Sequence, residues 1–192
     1  MQAQAVLDFW FLAQGDAGHG KPRAEWFRKD DAFDAAIGER FGAAIARALA
    51  GGLREWDALG ARGVLARILV LDQFTRNAYR NTPDSFAGDT LALQAAQELV
   101  DSGAHSTLLP VERQFVYMPF EHAEDVRMQE RSVELFAELA AQHEGFGEVL
   151  DYAHRHRGVI ARFGRFPHRN PIIKRASTPD ELAYLSQPGA GF

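Results

Sequence analysis

Three stretches of this chain concentrate side chains able to move protons or hold anions. In LVLDQFTRNAYR, Asp72 and Arg76 stand four residues apart, and so do Gln73 and Asn77. On a helix this spacing sets two polar pairs side by side on adjoining faces of one turn. The pattern fits either an ion pair anchoring the end of a buried helix or one wall of a polar pocket. In FVYMPFEHAED, Glu121, His122, Glu124 and Asp125 crowd the end of a helix. They present oxygen and nitrogen donors together, but the HExxH pattern of helical zinc sites is missing, and a solvated or ion-paired acidic face is the plainer reading. A metal would need His122 with Glu121 or Asp125 and a distant His156 or His168, and we expect none to be bound.

The third stretch runs from Tyr152 to Ser177 and holds Arg155, Arg157, Arg162, Arg165, Arg169, Lys174 and Arg175 without one acidic residue. Seven of the 21 basic residues therefore lie here, leaving 14 against 26 acidic ones elsewhere, so the chain is electrically polarised. Its first half is a helix with Arg155 and Arg162 seven apart on one face. Tyr152, His156, Val159, Ile160 and Phe163 form an apolar stripe on another, which makes His156 a core histidine satisfied by one hydrogen bond. Gly164 ends this helix, and RFPHRNP follows as a loop stiffened by Pro167 and Pro171. Guanidinium groups on such a loop suit a carboxylate or phosphate. The alternative is internal: the acidic helix carrying Glu121, Glu124, Asp125, Glu130, Glu134 and Glu138 neutralises it.

One further motif fails in its context. Gly15 to Lys21 reads GDAGHGK, the opening of a phosphate-cradling loop, but Pro22 stands where a magnesium-ligating hydroxyl belongs and a helix, not a strand, precedes it.

The elements that must position these residues are all helical. Apolar residues recur at three and four positions through Val6, Phe9, Trp10 and Ala13, and again from Phe33 to Leu49. Gly38 and Gly42 inside the second run predict the close approach of another helix. From Val64 to Phe74 apolar residues lie almost all round, the mark of a central buried helix. Further helices are predicted over 86–102, 110–123, 125–143, 146–163 and 179–186. Pro22, Pro83, Pro110 and Pro179 sit at predicted starts, and Thr178-Pro179-Asp180-Glu181 combines a capping hydroxyl, a first-turn proline and a capping-box glutamate. Pro119 falls inside a helix and predicts a kink.

The 192 residues suit one domain, residues 1–192, and 46% hydrophobic with 24% charged residues is an ordinary globular balance. A net charge of −5 argues against a surface built for nucleic acid or anionic membrane. No cysteine is present, so disulfides, thiolate metal sites and cysteine nucleophiles are excluded. The first residues lack a basic signal-like region and no apolar run approaches membrane-spanning length, so a cytoplasmic location is expected.

The segments DQFTRNAYRNTPDSFAGD, YMPFEHAED and HRHRGVIARFGRFPHRNPIIKRASTPDELAYL, with VLDFWF and KPRAEWFRKDDAFD, resemble a widespread bacterial family known only as a domain of unknown function and placed among TPR-like helical folds. The resemblance covers essentially the whole chain. It implies that the family's characteristic polar residues fall on Asp72, Gln73, Arg76, Asn77, Asp89, His122, Glu124, Arg162, Arg165, His168, Arg169 and Asn170. Ala123 departs from the serine often found there, which removes a hydroxyl nucleophile or ligand. The family implies no particular activity, and the tandem 34-residue repeat is absent.

The resulting expectation is an all-α domain of about eight helices, packed as antiparallel hairpins in a TPR-like manner, whose polar motifs converge on one concave site. Two readings of that site follow. One is a binding module for an anionic small molecule or a peptide's acidic group. The other is a metal-independent hydrolase or transferase, with His122 or His168 as acid or base and Arg76, Arg165 or Arg169 stabilising negative charge. No cofactor is expected.

Overall fold

The computed structural model describes residues 2–191, which form α-helices, shorter helical turns and loops without a strand among them. The α-helices are α1 (Ala3–Phe11), α2 (Asp31–Leu49), α3 (Ala61–Leu69), α4 (Thr75–Ala78), α5 (Asp89–Asp101), α6 (Pro110–His122), α7 (Val126–Gln142), α8 (Gly147–Phe163) and α9 (Pro179–Leu185). The all-α expectation holds. Nine helices are counted among the described residues where about eight were predicted, because the central helix is interrupted: between α3 and α4 the turn Val70–Phe74 is π-helical. The segment Gly15–Lys21 is an irregular loop after α1, so neither flank of a phosphate-binding loop is present.

The chain divides into two compact units, the division falling at Pro119 inside α6. Unit 1 comprises residues 1–80 and 84–119. Its core is aromatic: Trp10, Phe11, Phe41, Phe74 and Phe115 are fully buried. Trp10 stacks on Trp26 and meets Phe74 tilted and Phe115 edge-on, at centroid distances of 6.0, 5.6 and 5.4 Å, within the range where aromatic pairs are favourable. The α3–π–α4 rod runs through this core, contacting α1, α2 and α5. Gly38 and Gly42 do not mediate close packing, since a Cβ on either would meet nothing within 4 Å. The close approaches occur at Gly63 and Gly88, where a Cβ would come within 1.9 Å of the Trp56 carbonyl oxygen and 2.0 Å of the Leu71 carbonyl oxygen. Backbone meets backbone there, which only glycine permits.

Unit 2 comprises residues 81–83 and 120–192. Helices α7 and α8 pack along each other as a hairpin. Asp125 caps α7 by accepting from the amides of Arg127 and Met128 at 2.8 and 3.3 Å, so the candidate metal ligand is occupied as a helix cap. Fully buried Gln129 reaches back from α7 and donates to the carbonyls of Glu121 and Ala123 at 2.6 and 2.8 Å, satisfying the open end of α6. Gly164 ends α8 in the left-handed conformation, φ 69°, as predicted. The predicted capping box forms at α9: Thr178 Oγ1 accepts from the Glu181 amide and Glu181 Oε2 from the Thr178 amide. Thr178→Ala should lower stability by about 1 kcal/mol, read as a fall in melting temperature; an unchanged transition would show that the box contributes nothing here.

Candidate functional site

The predicted site residues fall in two sets. In unit 1 the π turn widens the helix where Asp72 and Gln73 sit, and side-chain donors reach the main-chain carbonyls it presents. Thr75 Oγ1 donates to the Leu71 carbonyl at 2.8 Å and Arg76 Nη1 to the Asp72 carbonyl at 2.9 Å. Asp72 is completely buried. One of its oxygens accepts from Arg76 at 2.9 Å and the other from Gln73 Nε2 at 2.6 Å. Arg76 also forks onto Asp89, in the first turn of α5, at 2.7 and 3.1 Å. Burial works against the charge on Arg76, but Asp72 and Asp89 outweigh it and its pKa is raised. Asn77 and Arg80 share a third carboxylate, Asp34 of α2, with Asn77 Nδ2 at 2.7 Å and the Arg80 fork at 2.7 and 2.9 Å. Every predicted residue of this set is thus tied to a neighbour within the unit.

In unit 2 the Pro-stiffened loop is held by an internal network. Glu124 accepts from the Phe166 amide at 2.7 Å and from both arms of Arg175 at 2.6 and 2.7 Å. Burial opposes its ionisation, but these donors outweigh burial and hold Glu124 below the usual carboxylate range. Arg175 Nε donates on to Asn170 Oδ1, and Asn170 Nδ2 donates to Ser177 and Glu181. Arg165 forks onto Glu181 at 2.6 and 2.8 Å. The Arg165 fork and the Thr178 amide lower the Glu181 carboxyl to about 2. Arg169 donates to the His122 carbonyl at 2.9 Å and lies over the Phe166 ring.

Two imidazoles flank buried Phe166, and a third stands beside one of them. His156 and His168 each lie 5.5 Å from its centroid, and His122 lies 6.4 Å from His156. His156 is buried on the apolar stripe as predicted. Its Nδ1 stands 2.9 Å from both the Tyr152 carbonyl and Glu121 Oε1. Both neighbours are acceptors, so Nδ1 carries the hydrogen. Burial first, then the charge of Arg169, depress His168 to about 4, which keeps it neutral at physiological pH. Among the described residues no three histidine or carboxylate side chains are arranged to hold one metal ion.

A shallow cleft of about 310 Å³ opens on α8, lined by Arg155, Gly158, Val159, Arg162, Phe163, Tyr184 and Gly189. Gly158 is part of the lining, and a Cβ there would meet nothing within 4 Å. Phe163 and Tyr184 of α9 pack at 5.2 Å to form an aromatic wall. The guanidinium of Arg162 rests on the Phe163 ring at 4.6 Å and pairs with no carboxylate among the described residues. That of Arg155 rests on the Tyr152 ring at 4.9 Å. Arg162 is the predicted site residue found here. The rest of the cleft escaped the sequence reading, although the seven-residue spacing of Arg155 and Arg162 was its visible signal.

The sequence profile of a family described as a bacterial protein of unknown function (DUF924) matches residues 6–189. The chain belongs to this family. A solved structure, titled as a protein of unknown function, ATU0120, from Agrobacterium tumefaciens, is 40% identical over 96% of each chain, with a TM-score of 0.83. No curated protein matches the chain. Family membership carries the helical fold across both units and assigns no activity. No helix among the described residues is long and apolar enough to cross a membrane.

Proposed function

We propose that the protein is a cytoplasmic binding module for an anionic small molecule, and that the α8 cleft is where the anion binds. One observation carries this reading: Arg162 alone among the predicted site arginines presents its guanidinium in a cleft with no carboxylate partner among the described residues. A ring beneath a guanidinium holds the plane while its N–H edge remains available for a planar anion. The other arginines offer less. Arg76 is forked by Asp89 and bonded to Asp72, and Arg165 is forked by Glu181. A donor fork closed by a carboxylate has lost most of its electrostatic pull on a second anion. The same pairing weakens the enzyme reading, which requires those arginines for charge stabilisation.

Thermal unfolding over a series of inorganic phosphate, sulfate and carboxylate concentrations tests the proposal. At a hundredfold excess over its dissociation constant the bound anion should add about 2.7 kcal/mol. Arg162→Gln should abolish the shift and leave the anion-free transition where it was. Absence of any anion-dependent shift in the unmodified protein, or its survival in the variant, would refute this function.

A further inference from the structure

The α8 cleft is where a hydrophobic cluster of unit 2 reaches the surface. Val159 is buried together with Ile160 and Phe166, and the half-buried rings of Phe163 and Tyr184 pack against that cluster. Val159, Phe163 and Tyr184 also line the cleft. Gly158 and Gly189 add no side chain to the lining, and Arg155 and Arg162 complete it, so it includes no carboxylate, amide or aliphatic hydroxyl side chain. The body of a ligand therefore meets an apolar wall with few side-chain groups to hydrogen-bond it. Burial of apolar surface and ring contacts are what such a wall rewards.

The two arginines are placed differently with respect to that wall. Arg162 lies on Phe163, a ring of the wall itself, whereas Arg155 lies on Tyr152, which is outside the lining. Arg162 is the cation tied to the apolar surface. One guanidinium balances one negative charge, and a dianion would keep its second charge beside apolar rings, where an uncompensated charge is costly. A carboxylate carries a single charge and matches the planar donor fork. Size narrows the choice further. A volume of about 310 Å³ is at the lower end of small-molecule sites, enough for one ring or a short chain and too little for a nucleotide.

We infer that the cleft selects a small amphipathic monocarboxylate, with one ring or short chain against Val159, Phe163 and Tyr184 and its carboxylate on Arg162. This rests on the anion-binding reading of the same cleft and narrows its ligand class.

Calorimetric titration of the full chain with acetate, 3-phenylpropionate and 3-phenylpropionamide separates the two claims. Acetate carries the charge alone, the amide carries the ring alone, and 3-phenylpropionate carries both. It should bind about thirtyfold tighter than acetate, the scale of burying one ring, and about tenfold or more tighter than the amide, the scale of a charge-assisted hydrogen bond. Arg162→Gln should reduce 3-phenylpropionate to the affinity of the amide. Tyr184→Ala should weaken 3-phenylpropionate about tenfold and leave acetate unchanged. The ratio between the two acids is read in the natural protein, so it decides the matter even where Tyr184→Ala does not fold. Equal affinities for acetate and 3-phenylpropionate, or undiminished 3-phenylpropionate binding in folded Tyr184→Ala, would overturn the amphipathic class while anion binding stood. Equal affinities for the acid and its amide, or no binding of either acid, would overturn both.

Discussion

Arg76→Met should destabilise the protein by about 3–5 kcal/mol at neutral pH, the scale of removing one partner from a buried ion pair. The substitution leaves Asp72, which has no exposed surface, and Asp89 facing the same space without their shared cation. Burial and the like charge of the neighbour then both disfavour ionisation, so a carboxyl pKa rises above its value in the unfolded chain. A group with a raised folded pKa contributes stability below its unfolded pKa and loses it as pH rises through the folded one. The deficit of the variant relative to the natural protein should accordingly shrink from pH 7.5 to pH 5. Urea unfolding at both values measures it. The double variant Arg76→Met, Asp72→Asn should recover part of the loss, because the buried charge goes with its partner. A deficit under about 1 kcal/mol, or one that does not change with pH, would mean that Asp72 does not depend on Arg76.

Acidification should weaken unit 2 before Glu124 and Glu181 titrate. His168 is held neutral, with its pKa near 4 against an ordinary 6.5, by burial and by the positive charge of Arg169; His156 and His122 add to the effect and Glu124 opposes it. Its folded pKa is depressed, so the unfolded chain takes up a proton from pH 6.5 downward while the folded protein does not until about pH 4. Stability is complete above pH 6.5 and falls between there and pH 4, by up to about 3 kcal/mol at about 1.4 kcal/mol per pH unit, less the share screened by solvent reaching the ring. Glu124 and Glu181 have lowered pKa values, so their stabilisation is lost in a separate step below pH 4.5. Denaturant midpoints taken from pH 7.5 to pH 4 should show the first step in the natural protein and not in His168→Leu. A flat profile down to pH 4.5, or the same slope in the variant, would show that His168 protonates in place without cost.

The sequence by itself determined the helices, and the reason is that their causes are local. Apolar spacing of three and four residues, Gly164 beyond α8 and the Thr178–Glu181 box each act within one turn or two of chain, so the predicted spans and the observed ones differ by a few residues. Residue type left the polar segments open between internal ion pairs and pocket walls, because buried charge must find a partner but its type does not say which. Tertiary structure alone decided which partner. Arg76 meets Asp89 thirteen residues on, Arg165 meets Glu181 sixteen on, Asn77 meets Asp34 across 43 residues and Arg175 meets Glu124 across 51. No periodicity encodes such separations. The π turn at Val70–Phe74 was equally invisible, since the apolar run through it reads as ordinary helix and the distinguishing contacts come from Thr75, Arg76 and the backbone at Gly88. The arginines therefore looked alike in sequence. Folding set most of them onto carboxylates and left Arg162 facing a cleft, because which fork is closed depends on where distant acidic side chains arrive in space.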